Sequence, residues 1–383
     1  MGTEHSEALM AIANPMNVLA LDHAEALGGA ELSLLALFRA LDRERYPVTL
    51  GAPPGPLADA ALAIGVPVVH LQLDKLVTGN PFSAFGRYWR GRGALRRVVG
   101  EGGFDLVHAN TLRTALYASG AGVPFVWHVR DYEMPAWARG FLLRRCIAAA
   151  AISEFIAQSL GGGPKVHTIL NGIELGDEPA AEDALAFREE IGVPPGVPVV
   201  GCMGRIRPWK GQTHFLDAAA RIAEERGDVR FLVVGATLFP DPGRDYEAEL
   251  REKAARLGIA ERVVFCGHRD DPLVALTAMD IVVNCSENEP FGRVLLEAMA
   301  CRRPIVAFRS GAVPEIVEDG KTGVLVSFGD TKALADAILA LLGDPGRAAS
   351  LGEAGRRHAI EQFPQAATTH GIEELYETLR ANA

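Results

Sequence analysis

The chain has 383 residues, enough for two to three domains of about 150 residues each. With 49% hydrophobic and 22% charged residues it has a globular make-up, which excludes a disordered tail, a collagen-like fibre and a small disulfide knot. Its net charge of -10 argues against general attraction to a phosphate backbone, so nucleic acid is not an expected partner. No apolar run reaches the roughly eighteen residues a membrane helix needs. The first fifteen residues lack the basic start of a secretory signal, and a cytoplasmic protein is expected. The start Met1-Gly2-Thr3-Glu4-His5-Ser6 fits the loose myristoylation pattern, but no basic cluster supports it. Five cysteines without C-x-x-C spacing read as small buried thiols.

Along the chain, short runs of Val, Ile and Leu without polar alternation alternate with amphipathic segments. Such runs suit parallel strands buried on both faces. Strands are expected over 17–21, 66–73, 105–109, 124–129, 148–152 and 166–170, with helices over 30–41, 81–99 and 137–146. A loop-like break, 172–183, carries Gly176 and Pro179. The alternation then restarts. Strands are expected over 197–203, 229–235, 262–267, 280–286, 304–308 and 323–326, and helices over 212–225, 245–257, 291–301, 331–342 and 346–361. This is an α/β chain of two doubly wound, Rossmann-like domains with a ligand cleft at the carboxyl ends of their strands. The expected boundaries are 1–175 for the N-terminal domain and 176–364 for the C-terminal domain. A last helix, 365–383, is a candidate to pack back on the first.

The strand-to-helix loops carry the chemistry. Gly28-Gly29 opens a helix where a backbone can approach a negative ligand closely, although G-x-G-x-x-G is absent. Gly204-Arg205-Ile206-Arg207-Pro208-Trp209-Lys210-Gly211 sets two cations at a strand end, a fork and a point charge suited to a diphosphate. Asp319-Gly320-Lys321-Thr322-Gly323 mimics the end of a P-loop but has Glu315 where the earlier glycine belongs, and reads as a turn. The richest stretch runs Ser286-Glu287-Asn288-Glu289-Pro290-Phe291-Gly292-Arg293-Val294-Leu295-Leu296-Glu297. Glu289 lies in the loop above a helix start with free N–H groups, and Glu297 about one and a half turns inside it. The two carboxylates could reach separate parts of an elongated ligand. Solvation and helix-dipole compensation are the plainer explanation for either one alone. No D-x-D pair, H-x-x-x-H pair or G-x-S-x-G elbow appears, so no metal site or hydrolase nucleophile is expected. His108 and His128 fall near the carboxyl ends of expected strands. Phe82 to Arg97 interleaves Phe85, Tyr88 and Trp89 with five arginines, which suits either a solvated helix over buried aromatics or contact with an anionic lipid or phosphorylated acceptor. Gly91 and Gly93 weaken a continuous helix there.

In this order the motifs resemble the retaining GT-B glycosyltransferases of family 4 over nearly the whole chain. The matching pieces are Gly28-Gly29, the strand ends Asp105-Leu106-Val107-His108-Ala109-Asn110 and Trp127-His128-Val129-Arg130-Asp131, Ile169-Leu170-Asn171-Gly172-Ile173, Gly204-Arg205 with Lys210-Gly211, and Glu289 with Glu297 as the E-x(7)-E pair. The resemblance implies sugar transfer from a nucleotide-diphosphate sugar, UDP favoured and GDP the alternative, with retention and without a metal or other cofactor, the N-terminal domain binding the acceptor and the C-terminal domain the nucleotide sugar. It implies diphosphate binding and leaving-group stabilisation by Arg205 and Lys210, sugar hydroxyls on Glu289, and ribose on Glu297. The backbone of Phe291, Gly292, Arg293, Val294 and Leu295 would meet sugar and phosphates, Gly28, Gly29 and Gly204 would lie close to the diphosphate, His128 would meet the sugar, and His268 would stand near the base. His128, Glu289, Arg205 and Lys210 are the catalytic set. The acceptor could be a glycan, a natural product or a lipid-linked hydroxyl, with His108, Asn110, Arg130 and Asp131 as candidate contacts and peripheral membrane contact as a further expectation. An epimerase of the same fold, or a two-domain protein that only binds its ligand, are the alternatives. One departure bears on a local turn: the family usually has a glycine near Arg302 in the stretch Ala300-Cys301-Arg302-Arg303-Pro304.

Overall fold

The computed structural model describes residues 14–76, 81–174, 176, 178–237 and 245–381, so the Met1–Ser6 pattern and residue 175 lie outside the described residues. The chain divides into two compact units, Met1–Gly172 with Gln365–Ala383, and Ile173–Pro364.

The first unit holds seven strands: β1 (Val18–Leu21), β2 (Val48–Ala52), β3 (Val68–His70), β4 (Leu106–Ala109), β5 (Phe125–Val129), β6 (Ala148–Ala151) and β7 (Val166–Thr168). All pair in parallel in the order β3-β2-β1-β4-β5-β6-β7. Helices cover both faces, so β1, β4, β5 and β6 are buried along their whole length. The helix Gln365–Ala381 belongs to this unit. Its Ile372, Leu375 and Tyr376 join Leu34, Phe38 and Leu50 in one core.

The second unit repeats the plan with β8 (Val199–Met203), β9 (Arg230–Val234), β10 (Val263–Gly267), β11 (Ile281–Asn284), β12 (Ile305–Arg309) and β13 (Val324–Ser327), in the order β10-β9-β8-β11-β12-β13. Each sheet therefore reverses direction once, between β1 and β4 and between β8 and β11. At such a switch point the loops leaving two adjacent strands diverge and open a crevice at the carboxyl edge.

The doubly wound α/β architecture is as expected. Its details differ in places, each for a local reason. The strand β2 falls in no expected element, because Thr49 and Gly51 interrupt its apolar run and prolines stand on both sides at Pro47 and Pro53. The expected strand 66–73 contracts to β3 at the sheet edge. Within the expected break, a helix begins at Ala181 and runs to Glu190, burying Ala184 and Phe187. The segment Pro81–Gly102 is one helix despite its glycines: Gly91 is where the Tyr117 ring packs, and a Cβ there would come 2.5 Å from that ring. Phe85 and Trp89 stand 65% and 48% exposed, whereas Tyr88 is half-buried and stacks on the buried Tyr117. The turn at Arg302 is kept without a glycine, with Arg302 itself at φ 52° and its guanidinium engaging Glu178 and Glu353. Asp319–Gly323 is a turn, closed by Gly320 N–H to Gly323 O. Among the described residues all five cysteines are free thiols, no group of side chains could hold a metal ion, and no helix is long and apolar enough to cross a membrane.

Candidate functional site

At the switch point of the second sheet, the loop after β8 carries Gly204 to Gly211 and the loop after β11 carries Cys285 to Gly292. Sheet order alone makes these loops neighbours, which is how Lys210 meets a carboxylate 79 positions away: its Nζ donates to Glu289 Oε2 at 2.7 Å. The pair is nearly closed to solvent, with 14% and 6% of the side chains exposed. Burial alone would push the Glu289 carboxyl up. The Lys210 charge and hydrogen bond, with further bonds from Ser286 and Asn284, outweigh it and hold the group below the ordinary carboxylate range. Glu289 is thus an ionised acceptor with a fixed orientation.

The two loops are also tied through the backbone, where Glu287 N–H donates to Trp209 O at 2.7 Å. Gly211 has φ 69°, and a Cβ there would overlap the Cys285 carbonyl, so only glycine lets the loops approach this closely. Trp209 lies under both cations, with Lys210 Nζ 4.4 Å and the Arg205 guanidinium 6.0 Å from its ring centre. Arg205 itself is exposed, its carbonyl held by Gln212 Nε2 at 2.9 Å. The helix Arg293–Ala300 starts at Gly292, and its first-turn Arg293 donates to Glu297 Oε1 at 2.7 Å. Phe291 and Leu295 are buried, leaving backbone rather than side chain to present there. The arrangement therefore joins two cations, a helix N-terminus and an ionised carboxylate, which suits a ligand with a diphosphate next to hydroxyl groups. His268 follows β10, two strands from β8, exposed and 3.5 Å from Asp270.

The switch point of the first sheet has a different character. Asp22 after β1 and Asn110 after β4 meet there: Asn110 Nδ2 donates to Asp22 Oδ2 at 2.6 Å. Arg130, after β5, donates through Nε to Asn110 Oδ1 at 2.6 Å and through Nη1 to Asn171 Oδ1 at 3.1 Å. His108 and His128 lie 3.0 Å apart, Nε2 to Nδ1, and His108 Nδ1 reaches the Tyr376 hydroxyl at 2.6 Å. Of the four candidate acceptor contacts, His108 and Asn110 are buried with their polar atoms spent on neighbours, Arg130 is 7% exposed, and Asp131 is exposed. The first two help to hold the frame of this edge through these bonds. Gly28 and Gly29 begin the helix Gly29–Ala40, where Glu31 Oε2 accepts from Gly28 N–H at 2.8 Å.

Sequence reasoning assigned no role to Trp209, Tyr376 or Gly311. Trp209 was within reach, since an aromatic between two cations in a strand-to-helix loop is itself a signal. The others act across long sequence separations and leave none.

The buried titratable groups set an acid-side weakness. Burial, with Arg130 as second cause, lowers His108 to about 3 and takes His128 well below its ordinary value. Burial and Arg113 lower His23 to about 4. These rings are neutral in the folded protein and take up protons on unfolding, so their contribution is lost as pH falls below the unfolded value near 6.5. Glu31, raised to about 7 by burial and Asp22, works in the opposite sense, because between its unfolded value and 7 the folded form binds more protons. In Glu31→Gln, the loss of stability between pH 7 and 5 should steepen by about 1.4 kcal/mol per pH unit. Urea unfolding at three pH values measures this; equal slopes in both proteins would show that Glu31 does not titrate near neutrality.

A model of glycosyl transferases group 1 matches residues 183–358, and one of glycosyltransferase family 4 matches residues 27–177. The lipopolysaccharide core biosynthesis mannosyltransferase LpsB of Rhizobium meliloti is 32% identical over 245 residues, 63% of this chain and 68% of that protein. The alpha-maltose-1-phosphate synthase of Mycolicibacterium smegmatis is 36% identical over 269 residues, 65% of this chain and 68% of that protein. Among solved structures, Anabaena Alr3699/HepE in complex with UDP and glucose matches with a TM-score of 0.82 at 27% identity, covering 94% of this chain and 99% of that one. Sucrose-phosphate synthase from Thermosynechococcus elongatus, at 22% identity and a TM-score of 0.80 over 96% of this chain and all (100%) of that one, shares the fold. With both units matched in order and relatives covered over 68% of their length, the chain belongs to the family 4 glycosyltransferases, enzymes of the GT-B fold that take sugar from a nucleotide-sugar donor.

Proposed function

We propose that this glycosyltransferase moves a hexose from a UDP-sugar to an acceptor hydroxyl with retention of the anomeric configuration and without a metal. The observation that carries the reading is the buried Lys210–Glu289 pair beside Arg205 at one sheet's switch point. In a sugar transfer, negative charge grows on the departing diphosphate. Arg205 and Lys210 supply positive charge where it grows, Lys210 from a site with little solvent, which strengthens its interaction, and Arg205 from the exposed side of the loop. That is the work a metal would otherwise do. Glu289, ionised and held by Lys210, accepts hydrogen bonds from donor-sugar hydroxyls, and the backbone from Phe291 to Leu295 faces sugar and phosphates. Glu297, held by Arg293, takes the ribose hydroxyls; His268 stands near the base, and His128, Gly28 and Gly29 are further donor contacts, His128 to the sugar. The complex of Anabaena HepE with UDP and glucose supports the choice of UDP.

The test incubates the protein with UDP-, GDP- and ADP-sugars in EDTA and follows each by NMR. Binding or hydrolysis of a UDP-sugar is expected, with the released sugar in its original anomeric form. Failure of every nucleotide sugar to bind would sink the reading, and conversion of the sugar pool without an acceptor would mark an epimerase. Arg205→Ala should weaken UDP binding about 10-fold or more, the loss of one charge-assisted contact, while leaving uridine binding within about twofold. Equal losses for the two ligands would remove Arg205 from the diphosphate.

A further inference from the structure

We propose that Tyr376, on the C-terminal helix, is a positioning residue that locks His128 in the tautomer carrying its proton on Nε2, making that nitrogen a hydrogen-bond donor toward the ligand. The inference rests on the donor-sugar contact proposed for His128 and names its polarity.

Three contacts decide the proton positions. An arginine guanidinium can only donate, and Arg130 Nη2 lies 3.4 Å from His128 Nδ1, so this nitrogen presents a lone pair. His108 Nε2, 3.0 Å from the same nitrogen, must then carry a proton and donate it. A neutral imidazole has one proton, so His108 Nδ1 is bare and accepts from the Tyr376 hydroxyl at 2.6 Å. The chain runs one way, from Tyr376 through His108 to His128, and leaves the His128 proton on Nε2. That atom is fully buried and has no hydrogen-bond partner among the described residues, although a buried N–H without one is costly. An unmet donor held in one orientation is what a ligand oxygen would complete.

The surrounding charges keep every member in the required state. Burial, then Arg130 and, for His128, His108 as well, keep both rings neutral at any pH near 7. Burial, with Tyr46 and Glu373, raises the Tyr376 hydroxyl well above its ordinary range, so it stays a donor. Arg130 sets the direction of the chain, and Tyr376 closes its far end. Without the hydroxyl, the bare Nδ1 of His108 is stranded in the core, and the tautomer with protons moved toward Tyr376's place becomes competitive.

The test labels histidine with 15N in the full chain and reads the ring nitrogens at pH 7. His128 Nε2 is expected to show the protonated, pyrrole-type shift, and His128 Nδ1 the bare, pyridine-type shift. Tyr376→Phe keeps the ring and should give averaged shifts for both histidines, with kcat lowered about 3- to 10-fold and the Kd for UDP unchanged. Tyr46→Phe removes a hydroxyl from the same helix contact, where it bonds Glu377, and should leave shifts and kcat alone even if stability falls equally. A bare Nε2 in the unaltered protein, or unchanged shifts in Tyr376→Phe, overturns the proposal. Shifts as expected in a protein that binds no nucleotide sugar would support the tautomer lock and sink the donor reading instead.

Discussion

Replacing Lys210 with methionine is expected to cost the second unit about 3–5 kcal/mol, the penalty for leaving a buried carboxylate without its partner. Glu289 is ionised only because Lys210, Ser286 and Asn284 together outweigh its burial. The sign of its pH dependence follows from that balance. With the folded value below the ordinary one, its stabilising contribution is present above the usual carboxylate range and is lost as pH falls through the lowered value. In Lys210→Met, burial is left the stronger influence and the folded value should rise above the unfolded one, so this group's contribution then grows on acidification. Adding Glu289→Gln removes the stranded charge, and the double variant should regain most of the lost stability, as neighbouring residues in one pair are not additive. It should not regain transfer, since on the proposed reading it lacks one of the two diphosphate cations and the anionic acceptor for the sugar. Urea unfolding and initial rates on the three proteins decide the matter. A double variant no more stable than Lys210→Met would show that the 2.7 Å contact is not energetically coupled; one with restored kcat would show that the pair is structural only.

How much of this could be read beforehand depends on the range of the interaction. Strands buried on both faces, such as Val199–Met203 and Ile281–Asn284, show as unbroken apolar runs, because parallel sheets covered by helices have no polar face to alternate with. The loops that follow them carried their own signals in glycines, cations and carboxylates. What did not show is which loops meet. Lys210 and Glu289 were separate features until the order β9-β8-β11 made their loops neighbours. The same holds for Tyr376, which lies 268 positions from His108 and reads locally as one more apolar residue on the inner face of a helix. The buried polar chain around His108 was hidden for a related reason: a histidine or asparagine at a strand end looks the same whether it faces a ligand or another side chain. The strand Val48–Ala52 was lost to Thr49 and Gly51, where burial by neighbours overrode a weak local pattern.

Gly311 supplies the second large effect, and it too was invisible locally. It has φ 58°, and a Cβ there would overlap the backbone N and O of Glu289. Its neighbours grip the same loop: Ser310 Oγ accepts from Asn288 N–H at 2.8 Å, and Ala312 N–H donates to Glu289 O at 2.8 Å. In Gly311→Ala, the left-handed backbone costs about 1–2 kcal/mol, and the added methyl must also displace Glu289 by a good part of an ångström. A shift of that size in the group proposed to position the sugar is expected to lower kcat about 100-fold. Binding of UDP alone should fall far less, because Arg205 and Lys210 lie on a different loop. Gly320→Ala separates the two causes. Its φ is 75°, yet a Cβ there would meet no described atom within 4 Å, so it carries the backbone strain without the displacement. It should lose about the same 1–2 kcal/mol and keep its kcat. Equal activity losses in the two variants would mean that loop strain, not the position of Glu289, limits the reaction; full activity in Gly311→Ala would mean that the Glu289 loop tolerates displacement and that the carboxylate does not orient the donor sugar.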